Sequence, residues 1–370
     1  MSIKVWDYRK EYEKEKEEIH SAIQRVLKSG FLILGENVKR FEEEFAKYCG
    51  VEFGVGVSSG TDALFLGLKA LDIGPGDEVI TVSNTAVPTV SAIVSAGAAP
   101  RFVDIDPENY LLDTFKLEEA ITKKTKCILP VHLFGQCVNM DEVRRIANKY
   151  GLKILEDCAQ SHGAAFKGNK AGSMSNLAAF SFYPTKILGG YGDGGMLITN
   201  ERKLYERLLR LRFYGMEKTY YSKEHGYNSR LDELQASILL TKLTHIEEYI
   251  SKRRTLAKQY DQLLADINLT LPKTMQGNEH VYYLYVCRHP KRDRILSELR
   301  KRDIFVNISY PWPVHTMIAY QYLGYKEGDL PCTEKVAKEI FSLPMYPYLT
   351  DNEQKIVVTA LHEILANNID

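Results

Sequence analysis

The segment SFYPTK, from Ser181 to Lys186, leads directly into a glycine-rich run between Gly189 and Gly195. An apolar strand that ends at a lysine, followed by glycines, leaves the lysine amine with few bulky neighbours. A lysine amine condenses with an aldehyde to a Schiff base, and pyridoxal phosphate is the usual cofactor aldehyde in proteins. The same segment also fits an ordinary surface lysine on a loop, so residues further upstream must separate the two interpretations.

Around this segment, short apolar runs alternate with amphipathic ones. The pattern predicts strands over 53–58, 78–82, 101–105, 127–131, 152–155, 178–182 and 196–199, with helices over 87–96, 117–122 and 140–150. Short strands separated by helices indicate an α/β domain with a mainly parallel sheet. Ligands of such sheets bind beyond the carboxyl ends of the strands, where we expect Thr61, Thr85 and Asp157.

An anion site is predicted where the strand 53–58 turns into a helix through Ser59, Gly60 and Thr61. The first N–H groups of a helix have no intrahelical partner and lie at the positive end of the helix dipole, so this turn is suited to a phosphate. The same residues also fit a plain helix cap, which is the commoner use of such residues. Both interpretations stay open at this point.

Asp157 comes just after the predicted strand 152–155. A carboxylate at a strand end can pair with a protonated pyridine nitrogen, and the cationic ring then accepts the electron pair of a carbanion. An isolated aspartate also fits the cap of the next turn. The glycine run GYGDGG at 190–195 matches G-x-G-x-x-G, but a predicted strand follows it instead of a helix, which excludes a dinucleotide fingerprint.

Composition narrows the class of protein. In 370 residues, 48 Lys and Arg balance 48 Asp and Glu, so the bulk charge favours neither nucleic acid nor an anionic membrane. No apolar run is long enough to span a bilayer, and the first residues lack the pattern of a signal peptide. Six scattered cysteines without a Cys-x-x-Cys pair predict reduced thiols and a cytoplasmic location.

We expect a large domain over 1–245 and a smaller C-terminal α/β domain over 246–370. A single long helix from Ser229 through Tyr249 is predicted to join them. The smaller domain is predicted to contain strands over 281–287 and 304–308 and a helix over 292–302. Thr350-x-x-Glu353 predicts a capping box at the start of the last helix.

In combination, SFYPTK, the motif EDCAQSHG at 156–163 and GDGG at 192–195 resemble the nucleotide-sugar aminotransferases of the DegT/StrS family, and the similarity runs over nearly the whole chain. The resemblance implies the aspartate aminotransferase-like fold (fold type I) and pyridoxal 5'-phosphate as cofactor. It implies that Lys186 bonds to the cofactor aldehyde and later shuttles a proton. Asp157 would pair with the pyridine nitrogen, and Gln160 would bond the 3-oxygen of the ring.

The resemblance also implies how the phosphate and ring are held. Gly60, Thr61 and Ser181 would bind the phosphate of the same subunit. Asn228 would reach the phosphate of the neighbouring subunit, which implies a homodimer with active sites at the interface. Ala86 departs from the family pattern, because an aromatic or histidine ring usually stacks on the cofactor there and alanine cannot.

The motifs TAVPT at 85–89 and YPWPVH at 310–315 resemble the branch that aminates C3 of dTDP-3-keto-6-deoxyhexoses. Glutamate would first donate its amino group, and the nucleotide-linked keto sugar would then accept it, giving a dTDP-3-amino-3,6-dideoxyhexose. Tyr183, Tyr310 and His315 are candidate sugar contacts, although each also fits simple packing. The alternatives are amination at C4 of a nucleotide-4-keto-6-deoxysugar, a pyridoxal-phosphate-dependent sugar dehydratase, and a non-catalytic sensor of the same fold.

Overall fold

The computed structural model describes residues 2–366 and consists of helices and mostly short strands. The helices are α1 (Tyr8–Ser29), α2 (Glu36–Cys49), α3 (Gly60–Ala70), α4 (Val87–Ser95), α5 (Met140–Tyr150), α6 (Arg202–Leu211), α7 (Glu233–Leu243), α8 (Ile246–Leu263), α9 (Arg292–Lys301), α10 (Pro331–Glu339) and α11 (Asp351–Ala366). The strands are β1 (Phe53–Val57), β2 (Glu78–Val82), β3 (Ala99–Val103), β4 (Thr125–Ile128), β5 (Lys153–Asp157), β6 (Ala165–Phe166), β7 (Asn169–Lys170), β8 (Leu177–Ser181), β9 (Gly195–Thr199), β10 (Met216–Lys218), β11 (Tyr221–Ser222), β12 (Asn278–Glu279), β13 (Tyr285–Arg288) and β14 (Ile340–Leu343).

A seven-stranded sheet forms the centre of the molecule, in the order β1-β9-β8-β5-β4-β2-β3. The pairs from β8 to β3 are parallel, and β9 is antiparallel to both of its neighbours. Its strands are almost wholly buried, as expected for a sheet covered by helices on both faces. The predicted α/β fold with a mainly parallel sheet is therefore confirmed.

The second half of α8 and the residues after it build a second, smaller core. Its cluster of buried apolar side chains is drawn from 256–361 and 364, together with Ile3 from the start of the chain. Ile3 bridges to Ile304 and donates its N–H to the carbonyl of Asp303 at 2.9 Å. The division of the chain at residue 245 stays a prediction, but the second core includes a residue from the first few positions.

The capping box before α11 is confirmed. The N–H of Glu353 donates to Thr350 Oγ1 at 3.2 Å, and the N–H of Thr350 donates to the Glu353 carboxylate at 3.0 Å. Each side chain therefore satisfies a backbone donor that the helix itself leaves unpaired.

Three element predictions are wrong. The segment 117–122 forms only a 3-10 turn over Glu118–Ala120. The single helix predicted through residue 249 is two helices, α7 and α8. Between them, the N–H groups of Thr244 and His245 donate to the carbonyls three residues earlier, at 3.3 and 3.0 Å, which interrupts the α-helical pattern. The segment 304–308 makes only isolated bridges, since its partners are single residues of two different segments.

Candidate active site

Asp157 and Lys186 lie at the same edge of the central sheet. Asp157 is the last residue of β5, and Lys186 follows β8, which pairs with β5 in parallel. Burial raises the pKa of Asp157 above its ordinary value, while the charge of Lys186 acts on the same carboxylate in the opposite sense. The two residues therefore lie beyond the carboxyl ends of adjacent parallel strands, which is where ligands of such sheets bind. This region beyond the strand ends is the candidate cleft.

The Asp157 carboxylate is 4% exposed and is held by two donors. Thr89 Oγ1 donates to Oδ2 at 2.8 Å, and the N–H of Ala159 donates to Oδ1 at 3.1 Å. Thr85 Oγ1 lies 2.8 Å from Thr89 Oγ1 and extends this chain of hydroxyls. An ionised carboxylate accepts about four hydrogen bonds, so Asp157 keeps capacity for a further cationic donor.

The start of α3 meets the end of β8. Ser59 is the N-cap of α3, and its Oγ accepts the N–H of Asp62 at 3.1 Å. The N–H groups of Gly60 and Thr61 lie in the first turn, where no intrahelical acceptor exists. A Cβ at Gly60 would lie 2.5 Å from the Cβ of Ser181. Only glycine allows this approach, which places the three predicted phosphate residues side by side.

A hydrogen-bonded cluster ties the start of α3 to the segment that carries Asn228. The Asp62 carboxylate accepts the hydroxyl of Ser58 and, at 2.7 Å, that of Ser229. The two serine hydroxyls are 3.1 Å apart. Ser229 is buried, whereas its neighbour Asn228 is exposed. The cluster therefore fixes the backbone from which Asn228 points to the surface.

Gln160 joins two distant parts of the chain. Its Oε1 accepts the N–H of Phe134 at 2.8 Å, and its Nε2 donates to the hydroxyl of Tyr310 at 2.8 Å. Burial raises the pKa of Tyr310, so the phenol stays protonated at neutral pH. Two predicted site residues separated by 150 positions are thus in direct contact.

Tyr183 and Ala86 are the two remaining predicted site residues on the loops after β8 and β2. Tyr183 precedes the lysine in its loop and is 52% exposed. Ala86 is the N-cap of α4 and has an extended backbone. Its methyl group offers no ring face, so the structure does not replace the missing stacking side chain at this position.

The ring of His315 is enclosed by protein groups and does not face open space. Its ring is fully buried, with Ser83 Oγ 2.7 Å from Nδ1 and the Glu334 carboxylate 3.1 Å from Nε2. Both ring nitrogens therefore have protein partners. The role of His315 as a sugar contact stays a prediction, and this geometry favours a structural role for the ring.

One side chain at the site was missed by sequence reasoning. The ring centroid of Tyr283 lies 4.7 Å from Lys186 Nζ. Tyr283 comes almost a hundred residues after the lysine, in a segment whose apolar pattern predicted only a strand. No local signal marks it, because its position depends on the packing of the C-terminal residues against the sheet.

His132, Glu156 and Cys158 lie close enough together to hold a metal ion. The Glu156 carboxylate, however, already accepts the Ser175 hydroxyl at 2.7 Å and two backbone N–H groups at 3.0 Å. His132 lies 2.8 Å from the same carboxylate. These hydrogen bonds account for the cluster as part of the interior, below the cleft.

Comparison with known proteins assigns the chain. The model of the DegT/DnrJ/EryC1/StrS aminotransferase family matches residues 13–362. The chain belongs to this family. It is a pyridoxal-phosphate-dependent aminotransferase, so the resemblance seen in the sequence and its implied cofactor are confirmed.

Several members of this family are similar to the chain over nearly its full length. It is 53% identical over 371 residues to dTDP-3-amino-3,4,6-trideoxy-alpha-D-glucose transaminase of Micromonospora megalomicea subsp. nigra, covering 99% of both chains. It is also 43% identical to the pleiotropic regulatory protein of Geobacillus stearothermophilus, covering 98% of both. The crystal structure of S. venezuelae DesV in complex with ketimine intermediate superposes with a TM-score of 0.97 at 41% identity and 100% coverage of both chains.

The residues at the cleft of this family member fit the cofactor. A buried carboxylate with spare acceptor capacity suits a pyridinium nitrogen, and the first turn of α3 suits a phosphate. Lys186 would supply the free amine that the cofactor aldehyde requires, because within residues 2–366 its Nζ has no hydrogen bond or ion pair and lies only against the ring of Tyr283.

Proposed function

We propose that this aminotransferase moves the amino group of glutamate to the C3 keto carbon of a dTDP-3-keto-6-deoxyhexose and so makes a dTDP-3-amino-3,6-dideoxyhexose. The observation that supports this proposal is that Asp157 and Lys186 follow the carboxyl ends of the adjacent parallel strands β5 and β8, in a chain that resembles a named dTDP-amino-sugar transaminase over its full length. Because that relative is named for a 3,4,6-trideoxy product, 4-deoxy keto sugars belong to the same substrate class.

Each residue of the cleft has its own role in the proposed reaction. Pyridoxal phosphate, when bound, supplies the ring that accepts the electron pair of the carbon that loses its proton. Asp157 keeps a positive charge on the ring nitrogen, because its buried carboxylate is compensated best by a cation. Lys186 removes and returns the proton next to the reacting nitrogen through its Nζ. The first turn of α3 fixes the phosphate, and Gln160 orients the ring with support from Tyr310.

The Lys186→Ala variant tests this assignment. We expect an unchanged circular dichroism spectrum, because Lys186 Nζ makes no hydrogen bond or ion pair among the described residues, and loss of turnover by at least roughly a thousandfold, because the proton carrier is missing. Lys167→Ala is the matched control, since Lys167 is an exposed lysine paired with Asp141. Borohydride reduction should fix the cofactor on the wild-type peptide that contains Lys186. Turnover retained in Lys186→Ala would refute the proposal.

Two alternatives from the same fold make different predictions. A sugar dehydratase of this fold carries histidine in place of the lysine, so Lys186 counts against it, and it would release water from the sugar without consuming glutamate. A non-catalytic sensor would bind a nucleotide sugar with no exchange of nitrogen. A panel of 3-keto and 4-keto nucleotide sugars with ¹⁵N-glutamate, read by NMR, separates these outcomes and locates the aminated carbon.

We also propose a homodimer with shared active sites. Support comes from exposed apolar side chains between α1 and α2, where Phe31 is 71% and Leu32 is 50% exposed, and from Asn228, which points outward beside the Asp62 cluster. Mixing Lys186→Ala and Asn228→Ala subunits tests the sharing. If Asn228 serves the neighbour, hybrid dimers regain one intact site and the mixture recovers about a quarter of wild-type activity.

If the asparagine acts within its own subunit, the mixture stays as inactive as its components, which would contradict the shared site. Sedimentation of the separate variants gives their oligomeric state independently. A cytoplasmic location stays a prediction, supported by six cysteines that form no disulfide. Among the described residues, no helix combines the length and apolar character needed to cross a membrane.

A further inference from the structure

The amine of Lys186 rests on an aromatic ring. Its Nζ lies 4.7 Å from the centroid of Tyr283, within the range of an attraction between a cation and the face of a ring. The Tyr283 hydroxyl is also 3.1 Å from Oγ1 of Thr185, the residue before the lysine. One side chain therefore contacts both the amine and the backbone segment that carries it.

The neighbours of Tyr283 are hydrogen-bonded to the 3-10 turn Leu133–Gly135, which follows β4. The N–H of Val281 donates to the carbonyl of Gly135 at 2.9 Å, and that of Leu284 donates to Phe134 at 3.3 Å. A Cβ at Gly135, where φ is +113°, would lie 2.8 Å from the N of Tyr283. This close approach leaves the segment little room to move.

A buried arginine holds the same segment from its other side. Arg253 is 3% exposed, and its Nη1 donates to the carbonyls of Tyr282 at 3.2 Å and Tyr283 at 3.1 Å. The same atom donates to the carbonyl of Met345 at 2.9 Å. Tyr283 is thus presented to the lysine from a backbone held on both sides, unlike the exposed side chain of Tyr183.

We propose that Tyr283 is a positioning residue for Lys186. Its ring holds the ε-amino group at the cleft whenever that group is not bonded to the cofactor. A ring face attracts the charged amine without fixing its direction. A carboxylate partner, in contrast, would hold the amine in one direction by a hydrogen bond. The amine can then swing between the ring and the reacting carbon. This inference rests on the proposed function for its meaning, but its test needs neither substrate nor turnover.

The test measures the chemical reactivity of Lys186 in the protein freed of cofactor. Trace acetylation followed by peptide mass spectrometry gives a rate for each lysine, and the other lysines of the chain serve as the internal reference. We expect Tyr283→Leu to raise the relative acetylation rate of Lys186 by about two- to fivefold, because the ring no longer covers and attracts the charged, unreactive form. Tyr283→Phe keeps the ring and should change the rate by less than about twofold.

An unchanged Lys186 rate in Tyr283→Leu would overturn the proposal, and so would an equal rise in both variants. General loosening of the fold would raise all lysines together and cancel in the ratio. If the leucine variant does not fold, Tyr283→Met replaces it with a flexible apolar side chain, and the same ratio is read. In the Tyr283→Leu enzyme with bound cofactor, the rates of both half-reactions should fall, while KM for glutamate stays unchanged.

The two proposals can fail separately. Acetylation that follows the expected pattern in a protein without transaminase activity would uphold Tyr283 and refute the proposed function. Transamination by the wild type, with no change in Lys186 acetylation in Tyr283→Leu, would uphold the proposed function and refute the role of Tyr283.

Discussion

Acidification should weaken this protein through His162, a residue that carries no substrate role. Its ring is fully buried against three phenylalanines, with ring centroids 5.3 Å away for Phe180, 5.8 Å for Phe182 and 6.3 Å for Phe45. Burial lowers the pKa of His162 from 6.5 to about 3, and the charge of Lys186 acts in the same direction. The folded protein therefore keeps the imidazole neutral at pH values where the unfolded chain protonates it.

The sign of the effect follows from proton binding. Above pH 6.5 neither state binds the proton, so the full contribution to stability is present. As the pH falls from 6.5 toward 3, only the unfolded state gains a proton, and the free energy of unfolding drops by about 1.4 kcal/mol per pH unit. The total loss from this one group is at most about 5 kcal/mol.

Urea unfolding between pH 5 and pH 8, at one protein concentration and without cofactor, measures this slope. Below pH 6, we expect the free energy of unfolding to fall more steeply with pH in the wild type than in His162→Leu. The difference in slope should correspond to the uptake of about one proton on unfolding. The comparison of slopes cancels any packing cost of the substitution, which acts at every pH. Parallel curves for the two proteins would refute the reasoning.

His280 provides an independent check, because burial also lowers its pKa to about 3. In the double variant His162→Leu/His280→Leu, the slope of the unfolding free energy against pH should correspond to about two fewer protons taken up on unfolding than in the wild type.

Two substitutions at the cleft have equally definite outcomes. Gly60→Ala places a Cβ 2.5 Å from that of Ser181, and overpacking of about 1–3 kcal/mol should raise the cofactor Kd by about 5- to 150-fold in a fluorescence titration. Gly74→Ala is the control, since its Cβ meets nothing closer than 3.6 Å; equal Kd values for the two variants would contradict this account. Asp157→Asn keeps the side-chain shape and should slow the glutamate half-reaction by at least about tenfold in stopped-flow measurements, because a charge-assisted contact is lost. A rate within twofold of wild type would count against the carboxylate's role.

The parts of the fold that could be predicted are those written in local sequence. The strand–turn–helix at Ser59 to Thr61 depends on glycine at the turn and apolar residues on either side, and both signals lie within a few positions. The same holds for Asp157 at a strand end and for the capping box at Thr350. The combination of motifs around Lys186 then identified the family, which spacing alone left undecided.

The parts that could not be predicted depend on contacts between distant residues. The Tyr283 ring reaches Lys186 from a segment that packs against Gly135 in the turn 133–135 and is hydrogen-bonded by Arg253 of α8. His315 looked like a pocket residue beside its prolines, but Ser83 and Glu334 enclose it. The break before α8 is a change of the backbone hydrogen bonds to carbonyls three residues earlier, which the apolar pattern does not reveal.

The burial of Ile3 in the C-terminal core has a consequence for how the chain matures. During synthesis this residue leaves the ribosome long before its bridging partner Ile304, because about 300 residues separate the two. Ile3 therefore cannot be buried in this core until Ile304 has been synthesised. Closing so long a loop is slow relative to local helix formation, so the contact of Ile3 is a late step in completing the smaller core.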